Sequence, residues 1–218
     1  MILSYFTNTA NMSMKIGIIG DPHASADPVV EALQVFQQVG VDEIWCTGDV
    51  AGYGEELEQT LELLVSHKVH IVEGNHEAWY LRENPAADNF VQNYFRGLSR
   101  HYETSIGNKK LYLVHAAPPD RIEGGIRLLD QTGEVIPQYA QYWENTLVNF
   151  HYDVLVVGHT HQVFAMQLGS TLVINPGSPQ YNHACAILDV DTMAVQWIPL
   201  SGNAIQKTWN WGDQVGRA

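Results

Sequence analysis

Eight side chains in this sequence are suited to metal ligation and proton transfer, and all of them fall in short turns after apolar runs. Asp21 and His23 lie in Gly20-Asp21-Pro22-His23, Asp49 follows Gly48, and Asn75 and His76 lie in Gly74-Asn75-His76-Glu77. His115 follows Leu111–Val114, and His159 and His161 lie in Gly158-His159-Thr160-His161. Carboxylate, carboxamide and imidazole groups without thiolate suit Mn, Fe, Zn, Co or Ni rather than a Cys-rich structural zinc. Asp21 with His23, and His159 with His161, have i, i+2 spacing. In an extended segment that spacing points both members of a pair to one side. Asp21, His23, Asp49, Asn75, His115, His159 and His161 are too many ligands for one ion that keeps an open position. They suit two ions about 3.5–4 Å apart that share a carboxylate, and Asp49 is the natural bridge.

Such a cluster needs elements that end together. Strand-like runs cover Lys15–Gly20, Glu43–Thr47 and Val69–Glu73, with helical spacing of apolar residues over Asp27–Val39 and Glu55–His67. In the second helix Leu57, Leu61, Leu64 and Val65 fall on one face. The β-α-β-α-β order predicts a parallel sheet with right-handed crossovers. Helices are expected over Asp88–Arg100 and Ile136–Phe150, and a strand over Lys110–Val114. Five short strands then follow without helices: Val154–Val157, Gln162–Gln167, Thr171–Ile174, Ala184–Asp189 and Ala194–Pro199. They suggest a mainly antiparallel sheet. Ligands of α/β sheets bind beyond the carboxyl ends of the strands, which is where the eight side chains lie.

Taken in order, Asp-x-His, Gly-Asp, Gly-Asn-His-Glu, a lone His and Gly-His-x-His resemble the calcineurin-like metallophosphoesterases, from about Met14 to Trp197. Gly48-Asp49-Val50-Ala51-Gly52-Tyr53-Gly54 and Asn175-Pro176-Gly177-Ser178 resemble a bacterial and archaeal branch of small phosphoesterases. The Ser/Thr protein phosphatases carry Asp-Arg-Gly in the second block, and that Arg is missing here. The resemblance implies an α/β (α+β) four-layer α-β-β-α sandwich, with two packed mixed sheets flanked by helices. It also implies one divalent ion on Asp21, His23, Asp49 and His161, and a second on Asp49, Asn75, His115 and His159. His76 would be the catalytic, non-ligand histidine, oriented by Glu77 or Asp49. The implied reaction is hydrolysis of a small phosphorylated substrate, favouring phosphodiesters, by a metal-bridging hydroxide with His76 assisting. Phosphomonoester, dinucleoside-polyphosphate or protein phosphatase activity is the alternative within enzymes, and a catalytically idle scaffold for partner proteins is the alternative outside them. Many relatives have an Arg soon after Asn-Pro-Gly-Ser, whereas this chain continues Pro179-Gln180-Tyr181-Asn182-His183. Arg121 and Arg127, on the loop after His115, are candidate substitutes, with His183 a weaker one. Tyr53 is a candidate ring for stacking on a base or leaving group.

Ten His against two Cys in 218 residues set the composition apart. Cys46 and Cys185, distant in sequence, read as buried reduced thiols. The net charge of −13 argues against duplex nucleic acid as a partner. Two bound dications would still give an anionic phosphate a local attraction. No apolar run approaches the ~18 residues of a membrane span. Residues 1–13 contain no Lys or Arg and make a poor signal peptide. Residues 14–200 therefore read as one phosphoesterase domain of a cytoplasmic protein, after a disordered leader. Residues 201–218 read as a tail that Trp209 and Trp211 tie to the core. His67, His70, His101 and His151 read as surface or capping residues, and Trp45 as core.

Overall fold

The computed structural model describes residues 13–86 and 88–209. In chain order the elements are β1 (Lys15–Ile19), α1 (Ala26–Val39), β2 (Glu43–Cys46), α2 (Leu57–Ser66) and β3 (His70–Ile71). Next come α3 (Asn75–Glu83), α4 (Phe90–Arg96), β4 (His101–Ile106), β5 (Lys109–Val114) and α5 (Pro137–Thr146). The chain closes with β6 (Val154–Val156), β7 (Val163–Leu168), β8 (Thr171–Pro176), β9 (Ala184–Asp189) and β10 (Ala194–Pro199).

Two mixed five-stranded sheets result, ordered β10-β9-β1-β2-β3 and β4-β5-β6-β8-β7. The parallel pairs are β1–β2 and β2–β3 in the first sheet, and β5–β6 and β6–β8 in the second. Strand alternation sends Ile16, Ile18, Trp45, Leu111, Leu113, Val154 and Val156 into one buried cluster, which packs sheet against sheet. On the other side of the first sheet, Ile19 and Cys46 meet Val29, Leu33 and Phe36 of α1, Leu61 and Leu64 of α2, and Phe95 of α4. On the other side of the second sheet, Tyr112, Val114, Leu155 and Phe164 meet Leu128, Leu147 and Trp143. The layers are therefore helix, sheet, sheet, helix, an α/β fold consistent with a calcineurin-like sandwich.

The closing strands differ from expectation. They do not form one antiparallel sheet: β6, β7 and β8 join the second sheet, with β6–β8 parallel, whereas β9 and β10 join the first. Spacing alone does not register that the chain crosses from one sheet to the other after β8. Helix α3 and strand β4 are additional elements. Apart from Asn75 and Glu77, α3 buries no residue completely, so it lacks the apolar stripe that reveals a helix in sequence. Strand β4 alternates exposed and half-buried residues at a sheet edge. Most of the leader, residues 1–12, and Trp211 lie outside the described residues. Among the described residues no helix is long and apolar enough to cross a membrane.

Candidate metal centre

Five parallel strands, three from one sheet and two from the other, end at a single crevice. Asp21 and His23 follow β1, Asp49 follows β2, Asn75 and His76 open α3 after β3, His115 follows β5, and His159 and His161 follow β6. Ligand atoms of His23, Asp49 and His76 lie within 4.8 Å of one another, and so do those of Asp49, His115 and His159. Asp49 is common to both groups. Asn75 Oδ1 is 3.1 Å from His115 Nε2 and 2.9 Å from His159 Nδ1. His161 Nε2 is 2.9 Å from His23 Nε2 and 3.8 Å from Asp21 Oδ2.

The pairs converge, but not along extended backbone. Asp21, His23, Asp49, His159 and His161 all adopt left-handed φ, between 40° and 64°. That conformation costs an L-residue roughly 1–2 kcal/mol, and strain of this kind gathers at functional sites. The turns are fixed by interleaved bonds: His23 N–H donates to Asp49 O at 2.9 Å, and Ala24 N–H to Val50 O at 2.7 Å. Two glycines let the loops close. A Cβ on Gly74 would land on Asp49 Oδ1, and one on Gly158 would fall on Thr47 Oγ1 and 2.7 Å from Asp21 Oδ1.

Hydrogen bonding fits these residues to cations. The His23 ring donates from Nδ1 to Ala51 O at 3.1 Å, and the His115 ring from Nδ1 to Thr47 O at 2.7 Å. Each leaves Nε2 facing the crevice, the arrangement that orients metal-ligating histidines. His115 Nε2 is directed at Asn75 Oδ1, His159 Nδ1 and, at 3.3 Å, Asp49 Oδ2. Asp21 Oδ2 is buried with no hydrogen-bond partner among the described residues. A buried carboxylate oxygen without a partner is costly unless a cation meets it.

The electrostatics agree. Burial pushes His23 and His159 down to about 4 and His161 to about 3, so they stand as neutral imidazoles at neutral pH. Burial also opposes charge on His115, but Asp49 and Asp21 outweigh it and hold the imidazole up at about 9. Burial pushes Asp21 up to about 7, with Asp49 adding to the rise and His115 opposing it. Asp49 is held below the usual carboxylate range, because His115 beside it outweighs the effect of burial.

His76 is a more open member of the group. Its side chain is 11% exposed and its Nε2 lies 4.0 Å from Asp49 Oδ2. By distance alone it could ligate, but its partial exposure turns it toward incoming solute. Glu77 does not orient it. Instead the Glu77 carboxylate is fully buried and accepts the N–H groups of Gly74, Asp49 and Ala51, each at 2.8 Å. The Asn175-Pro176-Gly177-Ser178 block braces the loops from below. Asn175 Nδ2 donates to Gly158 O, and Ser178 Oγ to Asp21 O. Asn182 Nδ2 donates to His161 O. Sequence reading marked that block as a turn and as part of the family resemblance, and missed the role of Asn182.

The remaining candidates divide. Tyr53 stands at the crevice, its ring 4.8 Å from that of His23 and 4.7 Å from that of His76. Arg121 is exposed with its guanidinium against Gly124. Arg127 lines a cavity of about 580 Å³ with Gly125, Tyr139, Tyr142 and Trp143. Among the described residues neither arginine bonds to any of the eight. His183 has its Nδ1 buried without a partner among the described residues and makes no described contact with the eight either. Elsewhere, His67 caps α2 through a ring bond to Leu63 O, Trp45 is fully buried, and both cysteines are buried free thiols. Trp209 ties the described part of the tail down, its backbone N–H donating to His161 O at 3.0 Å.

A family model for the calcineurin-like phosphoesterase superfamily domain matches residues 14–193. An uncharacterized protein of Methanocaldococcus jannaschii is 23% identical over 171 residues, 74% of this chain and 68% of that one. Among solved structures, a novel archaeal phosphodiesterase is 20% identical at a TM-score of 0.56, covering 86% of this chain and 100% of its own. A metallophosphoesterase from Sphaerobacter thermophilus is 21% identical at 0.60, covering 87% and 89%. A protein from Pyrococcus horikoshii is 15% identical at 0.65, covering 94% and 92%. With that family match across most of its length, on a two-sheet sandwich whose strand ends carry the family's motifs, the chain belongs to the calcineurin-like phosphoesterase superfamily.

Proposed function

We propose that this chain is a two-metal phosphoesterase that hydrolyses a small organic phosphate, with phosphodiesters favoured over monoesters. The observation that carries the reading is the convergence of buried ligand atoms, above all the unpartnered Asp21 Oδ2 and the close approach of Asn75, His115 and His159. Asp21, His23, Asp49 and His161 would hold one divalent ion, and Asp49, Asn75, His115 and His159 the second. Availability among Mn, Fe, Zn, Co and Ni decides identity at such N/O sites. When bound, the ions polarise phosphoryl oxygens and lower the pKa of water.

The chain's own groups supply the rest. His76 faces the substrate, and as an imidazolium it donates a proton to the departing alkoxide oxygen. Burial outweighs the pull of Asp49 and, with His115 adding to it, holds the His76 pKa below the ordinary value. The imidazole must therefore take up a proton before it can donate one. Asp49 also accepts the His76 N–H at 2.9 Å, which fixes the start of α3 against the bridging carboxylate. Phosphodiesters are favoured because Pro179–His183 supplies no Lys or Arg for the second charge of a monoester.

The test is elemental analysis of purified protein, followed by hydrolysis assays with added Mn, Ni or Zn on diester, monoester, dinucleoside-polyphosphate and phosphopeptide substrates. Two bound ions per chain and fastest turnover on diesters are expected. Fewer than one ion after reconstitution, with no hydrolysis, would defeat the proposal.

A further inference from the structure

We infer that, beyond its phosphate group, the substrate is recognised by aromatic rings rather than by Lys or Arg side chains, and that it is an ester carrying a planar aromatic group such as a nucleobase or aryl ring. The inference rests on the phosphoesterase reading above and assigns Tyr53 and Trp79 as specificity-determining residues, with Tyr181 filling the wall between His161 and Trp209. Three observations carry it.

The first is placement. The Tyr53 ring lies 4.8 Å from His23 and 4.7 Å from His76. Trp79, one turn along α3, lies 4.8 Å from the His76 ring. Tyr181 lies 5.6 Å from His161 at an interplanar angle of 14°, and 6.3 Å from Tyr53. These separations are within the range of favourable ring contacts. The rings therefore rim the histidine end of the crevice.

The second is exposure. Tyr53 is 50% exposed and Trp79 37%, so both leave much of their surface to solvent beside a buried polar cluster. Water exclusion around the histidines alone would not need such open rings. Exposed apolar surface at the edge of a crevice marks a binding surface.

The third is rigidity. Gly52 lies so close to His23 that a Cβ there would strike the Nδ1 atom. Gly54 N–H donates to His23 O and Glu56 N–H to Ala24 O, both at 3.0 Å, so the loop carrying Tyr53 is zipped to the turn carrying His23. Tyr181 is backed by Trp209, 5.2 Å away and at 24°. Tyr181 follows the Asn-Pro-Gly-Ser block, in a stretch without Lys or Arg. A fixed platform of this kind stacks planar groups without ordering itself first.

The test is calorimetric binding of adenosine 5′-monophosphate and of ribose 5-phosphate to the manganese-loaded protein, in the wild type and in Tyr53→Ala, Tyr53→Phe and Trp79→Ala. Phenyl phosphate distinguishes an aryl ring from a nucleobase. Wild type is expected to bind the adenosine compound at least tenfold more tightly than ribose 5-phosphate. That ratio should fall at least fivefold in Tyr53→Ala and in Trp79→Ala, and persist in Tyr53→Phe. Equal affinities in the wild type, or a ratio that survives both alanine substitutions, would overturn aromatic recognition. If neither phosphate binds a protein that hydrolyses diesters, this inference alone is overturned. If no ester of any class is hydrolysed, the phosphoesterase reading falls and takes this inference with it.

Discussion

The Glu77 carboxylate accepts the backbone N–H of Asp49 at 2.8 Å, tying the first turn of α3 to the loop that carries the aspartate shared by both candidate metal groups. The same Oε2 accepts Gly74 N–H, and Oε1 accepts Ala51 N–H. Burial, with the charge of Asp49 adding to it, pushes this carboxyl up to about 7. Three donors on one buried group make its replacement costly.

In Glu77→Gln the amide keeps the shape but offers one oxygen to three backbone donors. A stability loss of about 1–3 kcal/mol is expected, which is a fall in Tm of roughly 2–12 °C. Because Asp49 loses its anchor, both ions should bind more weakly as well. Thermal unfolding and metal titration check this, and wild-type values in both would refute the tie.

Asp49→Asn tests the bridge. The carboxamide offers one oxygen and no charge, so both ions should weaken together in a metal titration. Loss of only one would show that Asp49 serves a single site.

His76→Ala separates chemistry from ligation. If His76 acts on the substrate and not on the ions, the variant retains two ions per chain by elemental analysis while turnover falls about 10²–10⁴-fold. Unchanged turnover, or loss of an ion, would each reassign the residue.

Protons and ions compete at His115. Its folded pKa, about 9, stands above the ordinary 6.5. The stability it lends the ion-free chain is thus complete below about 6.5 and lost as pH rises through about 9. An ion on Nε2 must displace that proton, so affinity should rise with pH, by up to tenfold per unit below about 9. Adding Mn in weak buffer at neutral pH should release at least one proton per chain. No release, with affinity flat between about pH 6 and 8, would remove His115 from the ligand set.

Much of this site is legible in the sequence because each candidate ligand follows an apolar run, and apolar periodicity is what sequence reports best. Asp21, Asp49 and His115 could be placed at strand ends from Ile16–Ile19, Glu43–Cys46 and Leu111–Val114 alone. The manner of convergence was not legible. The i, i+2 pairs meet through left-handed turns, a backbone state that non-glycine residues rarely disclose in sequence. Nor was the role of Glu77, whose partners are all backbone groups. Of the aromatic rim only Tyr53 was legible: Trp79 sits on α3, a helix without an apolar stripe, and Tyr181 meets His161 only once the chain has left β8 for the first sheet.

Gly74→Ala makes the demand on backbone space measurable. The added methyl would land on Asp49 Oδ1 and lie 2.5 Å from Asp49 N, so the bridging carboxylate must move. Gly107 provides the contrast, since its φ is +58° but a Cβ there meets nothing within 4 Å. Overpacking should cost Gly74→Ala about 1–3 kcal/mol, and the left-handed penalty should cost Gly107→Ala about 1–2 kcal/mol. The two losses overlap, so stability alone cannot tell them apart, whereas metal titration can. Gly74→Ala should bind both ions at least tenfold more weakly, and Gly107→Ala should bind them as the wild type does. If folded Gly74→Ala holds its ions normally, the placement of Asp49 does not depend on the close approach of these two loops.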